Sequence, residues 1–577
     1  MFDLKIIGGT IVDGTGAPRF VGDVAIKDGV IVEVGPQLAG DASETIDATG
    51  QLVTPGFVDI HTHYDGQATW DSLLYPSASH GVTTVVAGNC GVGFAPVRPG
   101  DEKRLIEMME GVEDIPGTAL YEGIQWEWES FPEYLDALDR RSYAMDIAAF
   151  VPHAPIRLYV MGDRGERNEE ATAEDIAAMS AHVHDAIKAG AVGFSTSRSL
   201  NHKTLDGELV AGTYAGQEEL EGMVNAMLEA GGGLFEVVPQ GETEADEALI
   251  LGEIDMMSRV SKATGAEISF LMVQANGAAD LWRKQMEATA KANASGAKLV
   301  PQVGGRPGGM LIGLESYHGF MRKPTFRKLE AEYSGDALKA ALRDPANRAA
   351  ILAEADEPLT PSEQFGSMTE VMEMLFPAMY PLGDPPNYEQ THDRSIMGIA
   401  EASGRDPWEV HYDLLVEGDW VLGAFTNYAQ ASQEPLREMI SDPSTVLGLS
   451  DGGAHAKMIC DASVPTYMLT HWVRDRERGE RLSLESVIKK QCADTARIVG
   501  MTDRGTITVG QKADLNVIDF DGLTLHAPRS VNDLPAGGAR ILQDASGYKA
   551  TIVSGVVTRR NDADTGERPG RLVRANA

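Results

Sequence analysis

Apolar positions in this chain follow two rhythms. Over the first fifty residues they alternate with polar ones in LKIIGGTIVDG, GDVAIKDGVIVEVG and ETIDATGQLVTPG, broken at Gly8-Gly9, Asp28-Gly29 and Gly50. Alternation with glycine punctuation predicts short strands joined by tight turns. The rhythm returns near the far end in GTITVGQKADLNVIDF and GYKATIVSGVVTRR. Two strand-rich ends around a long middle predict one small β-sandwich domain built from both termini, residues 1–54 and 501–577. Two separate β appendages are the alternative.

Between the ends, residues 55–500, near-continuous apolar runs alternate with helical patterns. The runs are GFVDIHTH, GVTTVVAGNCG, MDIAAFVPHA, GAVGFSTS, GGGLFEVVPQG, AEISFLMVQANG, AKLVPQVGG and STVLGLSDGGAH, separated by helix formers such as AEDIAAMSAHVHDAIKAG and QEELEGMVNAMLEAG. Strands buried on both faces with helices between them predict the α/β class and a TIM-like (β/α)8 barrel. A doubly wound open sheet is the competing arrangement, but no GxGxxG follows the first run. Residues from about 306 to 430, with FPAMYPLGDPPNYEQ among them, fit neither rhythm and are expected to form an insertion. Its Leu311, Phe320, Phe376, Met379, Tyr380 and Tyr388 are expected to line an apolar pocket over the barrel mouth.

Composition narrows the function. The 577 residues carry 86 Asp+Glu against 49 Lys+Arg, a formal charge of −37, with 43% hydrophobic and 23% charged residues. That balance repels nucleic acid phosphates and anionic membranes. Three cysteines are too few for a disulfide framework, and no apolar run reaches membrane-spanning length, so a cytoplasmic protein is expected. The expected partners are a small-molecule substrate and further copies of the chain.

Polar residues gather at the C-terminal ends of the runs, where barrel active sites lie. His61 and His63 are two apart at the end of the first strand, so both imidazoles point the same way and can reach one borderline metal such as zinc. Asp451 ends the last run, where it is either the base that takes a proton from water beside a metal or an ordinary Asp-Gly turn residue. Glu236 is a single charge inside an otherwise apolar strand, which points to function. His153 and His202, just past the third and fourth strands, are either carbonyl-polarising groups or loop histidines. Arg198 and His455 are weaker candidates of the same kind, and His80 is expected to be structural.

These residues resemble the amidohydrolase superfamily of metal hydrolases, through Gly8-Gly9-Thr10, Asp47-Ala48, Pro55 to His63, and Gly510-Gln511-Lys512-Ala513-Asp514-Leu515. Within it the chain is most similar to the D-aminoacylases (N-acyl-D-amino-acid deacylases), in HTHYDGQATWD, GVTTVVAGNCGVGFAPVRPG, VPHAPIRLYVMG, AVGFSTS and LGLSDGGAH. The resemblance implies that Asp451 both holds the metal and acts as base, and that Cys90 is a zinc ligand. Without it, Cys90 reads as a buried small hydrophobe. The chain departs from the pattern where fifth- and sixth-strand histidines should complete a second metal position. Leu234-Phe235-Glu236 and Ile268-Ser269-Phe270 stand there, so one zinc per chain is expected. Gln274 and Gln302 are expected to give the substrate neutral hydrogen bonds. Ala454-His455-Ala456-Lys457 replaces a segment whose arginine would pair a substrate carboxylate; Arg198, Arg306 or Lys457 could take over that role. The implied function is hydrolysis of a carbon–nitrogen amide bond. The alternatives are a hydrolase or lyase of a cyclic amide, lactone, ester or other apolar carbonyl compound and, last, a barrel kept as a non-catalytic scaffold.

Overall fold

The computed structural model describes residues 1–575 other than 243, 359–371 and 419. All eight apolar runs become parallel strands, in strict sequence order around one sheet. They are Phe57–Asp59, Val82–Ala87, Asp146–Pro152, Gly193–Ser197, Leu234–Val238, Ile268–Leu271, Leu299–Val303 and Val446–Leu447. Every residue of the second, third, fourth and fifth is buried, because barrel side chains face either the packed interior or the helices outside. The ring closes just beyond the first and eighth strands, where Thr62 and Gly452 form a parallel bridge. His63 N–H donates to Gly452 O at 2.8 Å, and Asp451 N–H to His61 O at 3.1 Å. The eighth strand is only two residues long, since Leu449 (φ 63°) and Asp451 (φ 48°) turn the backbone left-handed straight after it.

Helices pack outside the ring as their sequences dictate. Ala173–Ala189 begins with a reciprocal cap between Thr172 and Asp175 and ends at Gly190, whose φ of 110° suits glycine. The two termini form a nine-stranded sheet, joined where Leu52–Pro55 pairs antiparallel with Leu515–Ile518. Ile6, Val24, Val53, Leu515, Val517 and Ile552 fill its own core. Part of the C-terminal region leaves this sheet. Hairpin strands Arg529–Leu534 and Gly538–Leu542 pair with each other and lie against the barrel, where Gln543 O accepts from His80 Nε2 at 2.9 Å. His80 is wholly buried and structural, as expected.

The insertion carries a three-stranded antiparallel sheet of Gly308–Ile312, Val421–Thr426 and Met379–Pro381. It corrects the expected apolar pocket lining. Phe320, Phe376 and Met379 are buried in the insertion's own core with Ile396 and Tyr412, while Leu311, Tyr380 and Tyr388 are buried in the main core. A segment this long must bury a core of its own to hold its shape, and its large apolar residues are divided between that core and the main one.

Candidate metal centre

The site is assembled from strand ends. His61 and His63 follow the first strand and share a face, with Thr62 turned away to donate to Val86 O at 2.8 Å. Cys90 follows the second strand in a left-handed conformation (φ 57°) between Gly88 (φ 79°) and Gly91 (φ 65°). Both glycines are required: a Cβ on Gly88 would collide with the Phe150 carbonyl, and one on Gly91 would lie 2.7 Å from Ser197 N. Asn89 fastens the turn by donating to Val86 O and Thr62 O, and Gly91 N–H donates to Ser195 Oγ at 3.2 Å.

This geometry brings three donor atoms together and sets a fourth beside two of them. Cys90 Sγ is 3.4 Å from His61 Nε2 and 4.0 Å from His63 Nε2. Asp451 Oδ1 is 3.5 Å from His61 Nε2 and 3.6 Å from His63 Nε2. Zinc–nitrogen and zinc–sulfur bonds of about 2.0–2.3 Å imply tetrahedral edges of roughly 3.3–3.8 Å; the 3.4, 3.5 and 3.6 Å spacings match them and the 4.0 Å one is slightly longer. The ligating atoms of His61, His63 and Cys90 all lie within 4.8 Å of one another.

Each histidine is held from its far side. His61 Nδ1 meets Gln302 Oε1 at 2.6 Å. Gly448 makes room for that amide, since a Cβ there would stand 2.5 Å from it. Gln302 therefore orients His61, where substrate contact was expected. His63 Nδ1 faces Glu113 Oε1 at 3.4 Å, and Glu113 Oε2 is 3.5 Å from His455 Nε2. Asp59 accepts from His61 N–H at 3.3 Å and from the Ser450 hydroxyl.

Charge is concentrated here out of water. Burial pushes Glu236 up to about 8, Glu113 and Asp59 to about 7, and Asp65 to about 6. Burial lowers His61 to about 4. It works the same way on His63, but the carboxylates of Glu113 and Asp451 outweigh it and carry that ring to about 9. Burial opposes ionisation of Asp451 too, yet His63 and His61 hold it well below the usual carboxylate range. Glu236 Oε2 accepts from Cys90 N–H at 3.2 Å, while its Oε1, like Glu113 Oε1 and Asp65 Oδ2, is buried with no hydrogen-bond partner among the described residues. Buried carboxylate oxygens, two imidazoles and a thiol suit a borderline cation.

The remaining expected residues divide. His202 stands beside the site: its Nδ1 meets Ser197 Oγ at 2.8 Å, and burial, with the charges of His455 and His63 acting the same way, pushes it down to about 3. Burial likewise takes His455, beside Asp451 and His63, to about 4. His153 does not join them. Its nitrogens meet Thr196 Oγ1 at 2.8 Å and Glu219 Oε1 at 3.0 Å, and Glu219 also pairs with buried Arg157, so the ring is spent on packing the fourth strand against its helix. Arg198 is occupied by Glu253 Oε2 and Ala215 O, each at 2.7 Å. Gln274 donates to Ala279 O at 2.9 Å and accepts from Ala429 N–H at 3.2 Å, so its amide ties two loops together. Glu113 gave no sequence signal, because it lies in EGVEDIPG at the end of the helix Glu102–Glu113, distant from every strand. Asp59 was legible in principle, two residues before His61 and on its face.

A cavity of about 30 Å³ adjoins Asp451, and Gln67, Leu534 and Arg540 are shared between it and a surface hollow of about 380 Å³ beside Trp70 and Tyr75. Among the described residues no helix is long and apolar enough to cross a membrane.

N-acyl-D-glutamate deacylase of Alcaligenes xylosoxydans xylosoxydans is 27% identical over 582 residues, spanning 100% of this chain and 97% of that protein. D-aminoacylase from the same organism is 35% identical over 195 residues, 34% of this chain and 37% of its own. The structure of N-acyl-D-glutamate deacylase from Bordetella bronchiseptica, solved with zinc and a phosphonate inhibitor that mimics the tetrahedral intermediate, superposes with a TM-score of 0.65 at 24% identity over the whole of both chains. The amidohydrolase family pattern matches residues 44–559. The chain belongs to the amidohydrolase family and is a metal-dependent hydrolase of carbon–nitrogen bonds.

Proposed function

We propose that the chain holds one zinc ion on His61, His63, Cys90 and Asp451 and hydrolyses an amide bond of the type that N-acyl-D-amino-acid deacylases cleave. The convergence of His61 Nε2, His63 Nε2 and Cys90 Sγ, with Asp451 Oδ1 beside both imidazoles, carries this reading. Zinc there would supply Lewis acidity, lowering the pKa of water toward 7 and polarising the scissile carbonyl. Asp451, whose side chain keeps 21% of its surface exposed, takes the proton of the attacking water at its carboxylate. His202, anchored through Nδ1 on Ser197, presents Nε2 as a donor to the carbonyl oxygen as negative charge gathers there. Glu236 is a second carboxylate within the ring, available as a further ligand or to carry a proton to the departing amine. Gln302 and Gly448 keep His61 in register.

The substrate is proposed to lack a free carboxylate beside the amide. Of the cations that could pair one, Arg198 is engaged by Glu253, and Arg306 by Asp461 at 2.6 Å and Ser463 at 2.9 Å while it stacks on Tyr388. That leaves Lys457 alone of those three.

Elemental analysis of protein purified without added metal tests the reading. One zinc per chain, lost together with amide-hydrolysing activity on chelation and recovered with it on zinc addition, is expected. A metal content near zero that no addition raises would overturn it.

A further inference from the structure

The two histidines are held by unlike groups. His61 Nδ1 meets a neutral amide oxygen, Gln302 Oε1, at 2.6 Å. His63 Nδ1 faces a carboxylate oxygen, Glu113 Oε1, at 3.4 Å. Both atoms of the second pair are buried with no hydrogen-bond partner among the described residues, and they meet at an ion-pair distance, so each is the other's nearest recourse. Both rings turn Nε2 toward Cys90 and Asp451, which leaves Nδ1 to carry the N–H when Nε2 gives its lone pair to a cation. A carboxylate accepting that N–H pushes electron density into the ring and makes Nε2 a stronger donor, whereas an amide mainly fixes its orientation.

Glu113 is placed for this by more than one contact. It ends the helix Glu102–Glu113 in the connection after the second strand. Its carbonyl accepts from His455 N–H, and its Oε2 lies 3.5 Å from His455 Nε2. The next residue, Asp114, accepts from Lys457 N–H at 3.2 Å and from the Tyr317 hydroxyl at 2.8 Å. The loop after the eighth strand, which begins at Asp451, is thus tied to the same helix end that supports His63.

We infer that Glu113 is a positioning residue for the metal centre: it fixes the tautomer and raises the donor strength of His63 and, through His455, sets the loop that carries Asp451. This rests on the metal reading above.

Glu113→Gln keeps the size and removes the charge, so that both histidines would face an amide. Competition between the purified protein and a zinc chelator should show affinity about 10- to 100-fold weaker than wild type. In cobalt-substituted protein the visible absorption bands should shift, which a role confined to packing would not cause. Glu113→Asp, which keeps the charge one methylene further back, should fall between the two and replaces the glutamine variant if that one does not fold. Wild-type affinity within twofold and an unchanged cobalt spectrum in the folded variant would overturn the inference while leaving the metal reading intact. Wild-type protein that binds neither zinc nor cobalt would overturn the metal reading and this inference with it.

Discussion

Asp451 holds its backbone at φ 48°, a conformation that costs a residue with a Cβ about 1 kcal/mol or more. The strain aims one carboxylate oxygen at the Nε2 atoms of both histidines. An asparagine at this position keeps the shape but cannot accept the proton of the attacking water and is a weaker ligand. Asp451→Asn should therefore lower kcat by about 10²- to 10⁴-fold with an unchanged circular dichroism spectrum; retained turnover would reduce Asp451 to a turn residue. At this scale the sequence was legible where contacts are local. His61 and His63 declare themselves through strand alternation, and Asp451 through its place after an apolar run. Glu113 stayed hidden because its value comes from contacts with His63 and His455, 50 and 342 positions away along the chain. His153 misled for the converse reason: a histidine beside a strand end resembles a catalytic group until Thr196 and Glu219 are seen to occupy both nitrogens.

Among elements, the eight strands were readable because parallel strands buried on both sides must be apolar throughout. The insertion was not readable, because helices, short strands and a separate core share no single period. Its core holds two histidines. His411 is buried with neither ring nitrogen hydrogen-bonded among the described residues and stacks on Phe320 at 5.3 Å. His318 packs edge-on against Phe326 at 4.6 Å. Burial lowers both from about 6.5 to about 3. The folded state therefore keeps them neutral while the unfolded chain takes up protons below about pH 6.5. Their contribution is whole above that pH, and it drains away as pH falls toward 3, by about 1.4 kcal/mol per pH unit for each ring. Thermal melts between pH 6.5 and 4.5 should show a falling Tm, with a shallower fall in His411→Phe. Equal slopes for the two proteins would show that His411 is not neutral in the fold.

For the whole molecule, the charge of −37 acts on any anion approaching the barrel. With Arg198 and Arg306 engaged, kcat/KM for an N-acyl-D-amino acid should be lower than for its methyl ester or amide. It should also rise with added salt while the neutral compound's stays flat, because screening shortens the reach of surface charge. A free acid preferred by tenfold or more would mean that Lys457 or another cation meets the carboxylate. The pairing of the two termini into one β region was legible from their shared rhythm. The path of the hairpin Arg529–Leu534 and Gly538–Leu542 was not. Leu534 and Arg540 help to wall the small cavity beside Asp451 and the surface hollow next to it, and a sequence pattern that names strands does not say which neighbour a hairpin leaves its sheet to cover.

The two-residue eighth strand leaves the barrel with an unusually thin seam. Much of the join is made by His63 N–H with Gly452 O, Asp451 N–H with His61 O, and the Thr62–Gly452 bridge. His61 and His63 stand on one lip of that seam and Asp451 on the other. A cation gripped by all three would brace a seam that backbone hydrogen bonds already close. Metal held by the folded ring and not by the unfolded chain would then add about 1.4 kcal/mol of stability for every tenfold excess of free metal over its dissociation constant.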